Sequence, residues 1–196
     1  ADRAGREQGE LQADRLDLAA LAQIASRLPL DAAVRDALQT YAPQGLVQQL
    51  QAGWHGPLAQ PRQYQLRAKV SGLAIAAQAR NPAVVGLTGA DVELDLTQQG
   101  GRAELAMADG RLLLPGVFED PVLPVQQLSA TLRWQVEGQR IAVQTNDLRF
   151  ANADAQGEAR LAWRTADAAT SPARSRFPGV LELSGHLSRA DGTRVH

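Results

Sequence analysis

From Leu46 onward the chain is dominated by runs in which apolar residues recur at every second position, and this period restricts it to β-structure more tightly than any other feature. Tyr64, Leu66, Ala68 and Val70 alternate with Gln63, Gln65, Arg67 and Lys69. Val92, Leu94 and Leu96 alternate with Asp91, Glu93, Asp95 and Thr97, and Leu128, Ala130, Leu132, Trp134 and Val136 alternate with polar neighbours in the same way. Ala159, Leu161 and Trp163 repeat the pattern, as do Leu181, Leu183 and Leu187. Successive side chains of a strand point to opposite faces, so each run has one apolar face and one wet face. Turn signals separate the runs at short intervals: Gly100-Gly101, Asp109-Gly110, Glu137-Gly138 and Asp191-Gly192. Intervals this short predict antiparallel neighbours, because a parallel crossover takes about a dozen residues or more. The stretch from Thr165 to Pro178 has no period and reads as a mobile loop.

Upstream the period is helical. Asp14 or Asp17 can cap a helix reaching Leu28, with Leu18, Leu21, Ala22, Ala25 and Leu28 along one face and Pro29 as the stop. Asp31 caps a second helix, Ala32 to about Tyr41, striped by Val34, Leu38 and Tyr41 and ended by Pro43 and Gly45. Both stripes are narrow, so these helices are expected to lie on something else. The predicted fold is α+β and mostly β: a curved, groove-like antiparallel meander with two N-terminal helices. Residues 1–15 read as a polar N-terminal segment, apparently cut from the middle of a longer protein, and residues 16–196 as one unit, helical over 16–45 and sheet over 46–196.

This arrangement leaves the meander with a continuous apolar face and only two short helices to cover it. Each apolar side chain removed from water contributes roughly 1.5–3 kcal/mol, so such a face is expected to curl on itself or to meet a partner sheet, a membrane or acyl chains. With aromatics at 4% of the chain, the apolar surface is made of Leu, Val and Ala, with Trp54, Trp134 and Trp163 as its few large pieces.

Several function classes are disfavoured. Twenty basic residues against 21 acidic ones give a net charge of −1, which offers no surplus for phosphate contacts and predicts no nucleic-acid partner. No cysteine is present, so thiol nucleophiles and thiolate metal sites are excluded. No run approaches the roughly 20 apolar residues of a bilayer span, and no leader opens the sequence. His55 reads as a turn residue at a strand end, and His186 falls on polar parity with Glu182 and Ser184. Asp91, Glu93 and Asp95 lie on one face of one strand, whereas glycoside hydrolysis needs two carboxylates facing across a cleft roughly 5–10 Å wide. The same run lacks the glycine and distal glutamate of a calcium loop, and no phosphate-cradling or nucleophile motif appears. The chain is therefore expected to be neither an enzyme nor a cofactor- or metal-binding protein.

A set of ordered blocks adds a resemblance. They are Leu16-Asp17-Leu18-Ala19-Ala20-Leu21, Arg27-Leu28-Pro29-Leu30, Pro43-Gln44-Gly45-Leu46-Val47, Trp54-His55-Gly56-Pro57, and Asn81-Pro82-Ala83-Val84-Val85-Gly86-Leu87-Thr88-Gly89. Further on come Gly110-Arg111-Leu112-Leu113-Leu114-Pro115, Asp147-Leu148-Arg149-Phe150-Ala151-Asn152-Ala153-Asp154-Ala155 and Phe177-Pro178-Gly179-Val180-Leu181-Glu182-Leu183-Ser184-Gly185. Together they resemble the YhdP branch of the AsmA-like family. The resemblance implies a periplasmic protein of a Gram-negative bacterium, held in the inner membrane by an anchor outside this sequence. It also implies a β-groove that continues into the rest of the parent chain and passes phospholipid between the inner and outer membranes, supporting the outer membrane's permeability barrier. On that reading Leu66, Val70, Val92, Leu94, Leu96, Leu132, Trp134, Val136, Leu161 and Trp163, all on apolar parity, replace water around acyl chains. The rival reading is a structural or protein-interaction segment whose apolar face is filled from within and takes no ligand.

Overall fold

The computed structural model describes residues 8–24, 32–57, 61–77, 85–115, 119–167, 175–177 and 179–191. Its elements run β1 (Gln8–Ala13), β2 (Leu16–Asp17), α1 (Leu18–Ile24), α2 (Ala32–Tyr41), β3 (Gln44–His55), β4 (Gln63–Ile75), β5 (Gly86–Thr97), β6 (Gly100–Leu113), β7 (Val122–Glu137), β8 (Arg140–Ala151), β9 (Ala155–Arg164) and β10 (Val180–Ala190). The strands make one open 10-stranded sheet in the order β1-β3-β4-β5-β6-β7-β8-β9-β10, with β2 pairing β3. All neighbours are antiparallel. The predicted class, mostly β with an antiparallel meander and two helices near the N-terminus, is what the chain adopts, and its sheet is open and one layer deep.

At the N-terminal end the structure refines the sequence reading. Residues 8–13, read as part of a polar run, form edge strand β1, because Leu11 and Ala13 fall opposite Ala52 and Leu50 of β3. Asp17, not Asp14, caps α1: its Oδ1 accepts the Ala19 and Ala20 N–H groups at 2.8 and 3.2 Å. The expected continuation to Leu28 and the Asp31 cap lie outside the described residues. Helix α2 ends where Ala42 turns to φ 40° and donates its N–H to the Leu38 carbonyl at 3.1 Å. Helix α1 packs on β2 and β3, at one end of the sheet; the other main contacts between elements are α1 with α2 and strand with adjacent strand.

The turn signals are partly reassigned. Tight turns fall at Gln98-Gln99 and Gly138-Gln139, within two residues of the expected pairs. Asp109-Gly110 is no turn; it lies inside the 14-residue strand β6, with Asp109 at φ 52°. This is one of several β-bulges at a common level of the sheet. Between Val70 and Leu73 three steps on β4 match two on β5, and between Arg111 and Met107 four steps on β6 match two on β5. Between Arg149 and Gln144 five steps on β8 match four on β7. Gly72 and Gly89, at φ 61° and 85°, supply the left-handed backbone that two of these irregularities use. Bulges bend a strand and increase its twist, and bulges aligned across neighbouring strands bend the sheet along that line.

The buried core sits at this line. Ala90, Met107 and Val125, at 0, 4 and 5% exposure, form its centre, with Leu73, Leu87, Val92, Leu105, Leu112 and Leu128 packed around them. Away from the line the apolar side chains are only partly buried, and among the described residues no large side chain is fully enclosed. A single sheet without a second layer shields its apolar face mainly by its own bend, where the buried cluster sits.

Candidate functional site

The ten apolar-parity residues singled out in the sequence all stand, partly buried, on one face. Register explains how. Counting from one sheet edge to the other, Leu11 pairs Ala52, which pairs Leu66, then Leu96, Gly101, Trp134, Val143, Trp163 and Leu181. Directly paired residues of antiparallel strands share a face, so this is one row of side chains crossing the sheet from β1 to β10 with no polar member. At Gly101 the Trp134 indole comes close to the backbone; a Cβ there would lie 2.6 Å from it. A second row, Ala13, Leu50, Ala68, Leu94, Ala103 and Leu132, runs beside it from β1 to β7. A third, Val47, Val70, Val92, Leu105 and Ala130, follows from β3 to β7. Thr145, only 3% exposed, interrupts the apolar surface at β8, next to the bulge.

The structure therefore adds members that the sequence reading did not single out: Leu11, Leu50, Ala52, Ala103, Leu105, Met107 and Val143. The signal for those on β6 and β8 was present, since Ala103, Leu105 and Met107 alternate with Arg102, Glu104 and Ala106, and Ile141 and Val143 with Arg140 and Ala142. β1 carried no such signal, because its six residues hold only two apolar side chains.

The opposite face is charged, with two ion pairs between β4 and β5 and one along β6. Arg67 Nε donates to Asp95 Oδ2 at 3.0 Å, Arg102 and Glu104 approach to 2.6 Å, and Lys69 bonds Glu93. The hydrogen bond to Glu93, reinforced by its charge, holds the Lys69 ammonium above its usual range. All these side chains are half or more exposed, so solvent screens each pair and none is a main source of stability. Asp91 accepts the Gly72 N–H at 3.0 Å, tying off the β4 bulge. The acidic row Asp91, Glu93 and Asp95 is thus a solvated face with partners on β4.

Asp147 does for β8 what Asp91 does for β4, with more bonds. It accepts the Thr131 N–H at 2.9 Å, the Thr131 hydroxyl at 2.7 Å and the Thr145 hydroxyl at 3.1 Å. The Thr131 hydroxyl, then its N–H, and then the Thr145 hydroxyl hold the Asp147 carboxyl below the usual carboxylate range.

A hollow of about 760 Å³ opens on this polar side, lined by Asp91, Ser129, Arg149, Glu158, His186 and Ser188 among others. It gathers carboxylates, an arginine and a histidine, and so is where hydrolytic chemistry has to be tested. Register runs from Asp91 through Ala106, Ser129 and Arg149 to Glu158. At about 4.8 Å per strand spacing, the two carboxylates stand roughly 19 Å apart. That is well beyond the span of a hydrolytic pair. His55 is exposed at the end of β3, and Glu158 and His186 are exposed neighbours on β9 and β10. No cluster of three or more metal-ligating side chains occurs among the described residues.

An open one-layer antiparallel sheet, apolar on one face across all its strands and charged on the other, defines a β protein that presents an apolar surface along its length. The chain belongs to the YhdP family, the branch of the AsmA-like proteins that its sequence blocks resemble: a family model described as YhdP protein matches residues 1–196. No curated protein and no solved structure matches it.

Proposed function

We propose that the apolar face shields and conducts the acyl chains of phospholipid between the inner and outer membranes, as a segment of a periplasmic envelope protein of a Gram-negative bacterium. Membership of the YhdP family and the open sheet fit a lipid-transport-like role. The observation that carries the reading is the unbroken row from Leu11 to Leu181. It crosses nine strands, eight spacings of about 4.8 Å, and so extends roughly 38 Å. A bilayer's hydrocarbon core of about 30 Å holds two leaflets, so one acyl chain occupies about 15 Å. The row is thus more than two chain lengths long and has no polar step at which a chain would have to be rehydrated. Each methylene kept out of water there contributes about 0.8 kcal/mol. The residues need shape and apolarity only, and no proton transfer is asked of any of them.

The rival, a self-filled structural segment, draws on the enclosed cluster at Ala90, Met107 and Val125. That cluster occupies only the bend and leaves the Leu11–Leu181 row outside it. Native mass spectrometry of the purified chain, followed by organic extraction, separates the two readings. The lipid reading predicts co-purifying phospholipid that is lost in Leu94→Asp while the fold is kept. A ligand-free chain with a cooperative melt, taking up no added phospholipid, refutes it.

A further inference from the structure

The row of apolar side chains is covered at one step by the chain itself. Trp163 stands between Val143 of β8 and Leu181 of β10 in that row. The Phe177 ring stacks on its indole, with centroids 6.2 Å apart and planes 19° from parallel. Phe177 is not part of the core, since 51% of it remains exposed. The strand path does not place it there either: it precedes β10 and is brought over Trp163 by tethers at Arg176. The Ala166 N–H donates to the Arg176 carbonyl at 3.0 Å, the Arg176 guanidinium donates to the Gln139 carbonyl at 2.6 Å, and the same guanidinium lies 5.7 Å over the Phe177 ring. Gly179 completes the fit, because a Cβ at that position would lie 2.8 Å from the Trp163 indole nitrogen. The sheet's remaining apolar steps carry no such cover among the described residues.

We propose that Phe177 is a resident cover for the Trp163 step, occupying in the empty protein the place that an acyl chain takes when the row is loaded. The proposal rests on the acyl-chain reading above. An aromatic ring is a fitting stand-in: it is apolar and flat, and it is held by one stack and two hydrogen bonds on an otherwise exposed residue pair. Its contact with the indole is of the size a chain of methylenes replaces. Loading then means exchanging one apolar partner of Trp163 for another. The cover keeps the indole from open water between ligands and weakens binding by the strength of the stack, about 2- to 10-fold.

The test uses the full chain and dibrominated stearate as the probe, since bromine quenches tryptophan on contact. In a Trp54→Phe/Trp134→Phe background only Trp163 reports; in a Trp54→Phe/Trp163→Phe background only Trp134 reports. The proposal predicts that stearate quenches Trp163, that Phe177→Ala tightens its binding about 2- to 10-fold, and that Arg176→Gln, which removes the tether to Gln139, moves it in the same direction. Quenching of Trp134 without Trp163, or unchanged or weaker binding in both variants, overturns the cover while leaving the acyl-chain reading intact. Absence of quenching in both backgrounds overturns both.

Discussion

Asp147 anchors the bend of the sheet, and removing its carboxylate should open β8 from β7. The substitution Asp147→Ala leaves three donors without their acceptor: the Thr131 N–H, the Thr131 hydroxyl and the Thr145 hydroxyl. Water can replace the partner at Thr131, which is partly exposed, but reaches Thr145 poorly, because that residue is only 3% exposed. With about 0.5–1.5 kcal/mol for each bond and a discount for solvent at Thr131, the expected loss is about 2 kcal/mol. For a chain of this length that lowers Tm by about 4–8 °C. Asp147→Asn keeps one acceptor oxygen and should lose about half as much. The sign of the pH dependence follows from the depressed folded pKa. Such a carboxylate contributes stability that is present above its unfolded value near 3.9 and is lost as pH falls through the lower folded value. Thermal melts of the wild type and both variants at pH 7 and at successively acid pH should show the wild-type advantage shrinking only below about pH 4. An alanine variant melting within about 1 °C of wild type at neutral pH, or an advantage unchanged through the acid range, would refute the bulge anchor.

Three further outcomes follow from the same geometry. Gly89→Ala places its Cβ no closer than 3.5 Å to the Gly110 Cα but must hold φ 85°, so it should destabilise by about 1–3 kcal/mol in a thermal melt. Gly53→Ala, with open space around its Cβ, should be neutral or slightly stabilising in the same assay. Arg67→Ala should change stability by less than about 1 kcal/mol, and by still less in high salt, because its pair with Asp95 is solvent-screened. On the proposed role, Leu94→Asp should abolish phospholipid uptake by the chain while Glu93→Lys does not, with the melting temperature of each variant measured alongside to separate loss of fold from loss of surface.

The sheet was legible because period-two alternation is a direct projection of the pleat: Leu94, Leu132 and Leu161 fall on one face wherever the strands pair. The bend was less legible. At a bulge the apolar parity switches, from Val143 and Thr145 to Leu148 and Phe150 and from Leu66, Ala68 and Val70 to Leu73 and Ile75, and a reader following one parity drops the second half of the strand. Asp109-Gly110 misled for a related reason: the left-handed backbone that suits a hairpin turn serves a bulge equally well, and nothing local tells the two apart. β1 could not be found from its own residues, because Leu11 gains meaning only opposite Ala52. The row across the sheet is a property of register, which the strands settle jointly and no single segment encodes.

The central claim is that phospholipid lies against the apolar face and not the charged one. Photo-crosslinking tests it directly, with benzoylphenylalanine placed singly at Leu94, Leu132 and Leu161 and, as opposite-face controls, at Glu93, Arg133 and Arg160, followed by detection of covalently attached phospholipid. The account predicts adducts from the three leucine positions and none above background from the charged positions. Equal labelling of both sets, or labelling confined to the charged face, would contradict it.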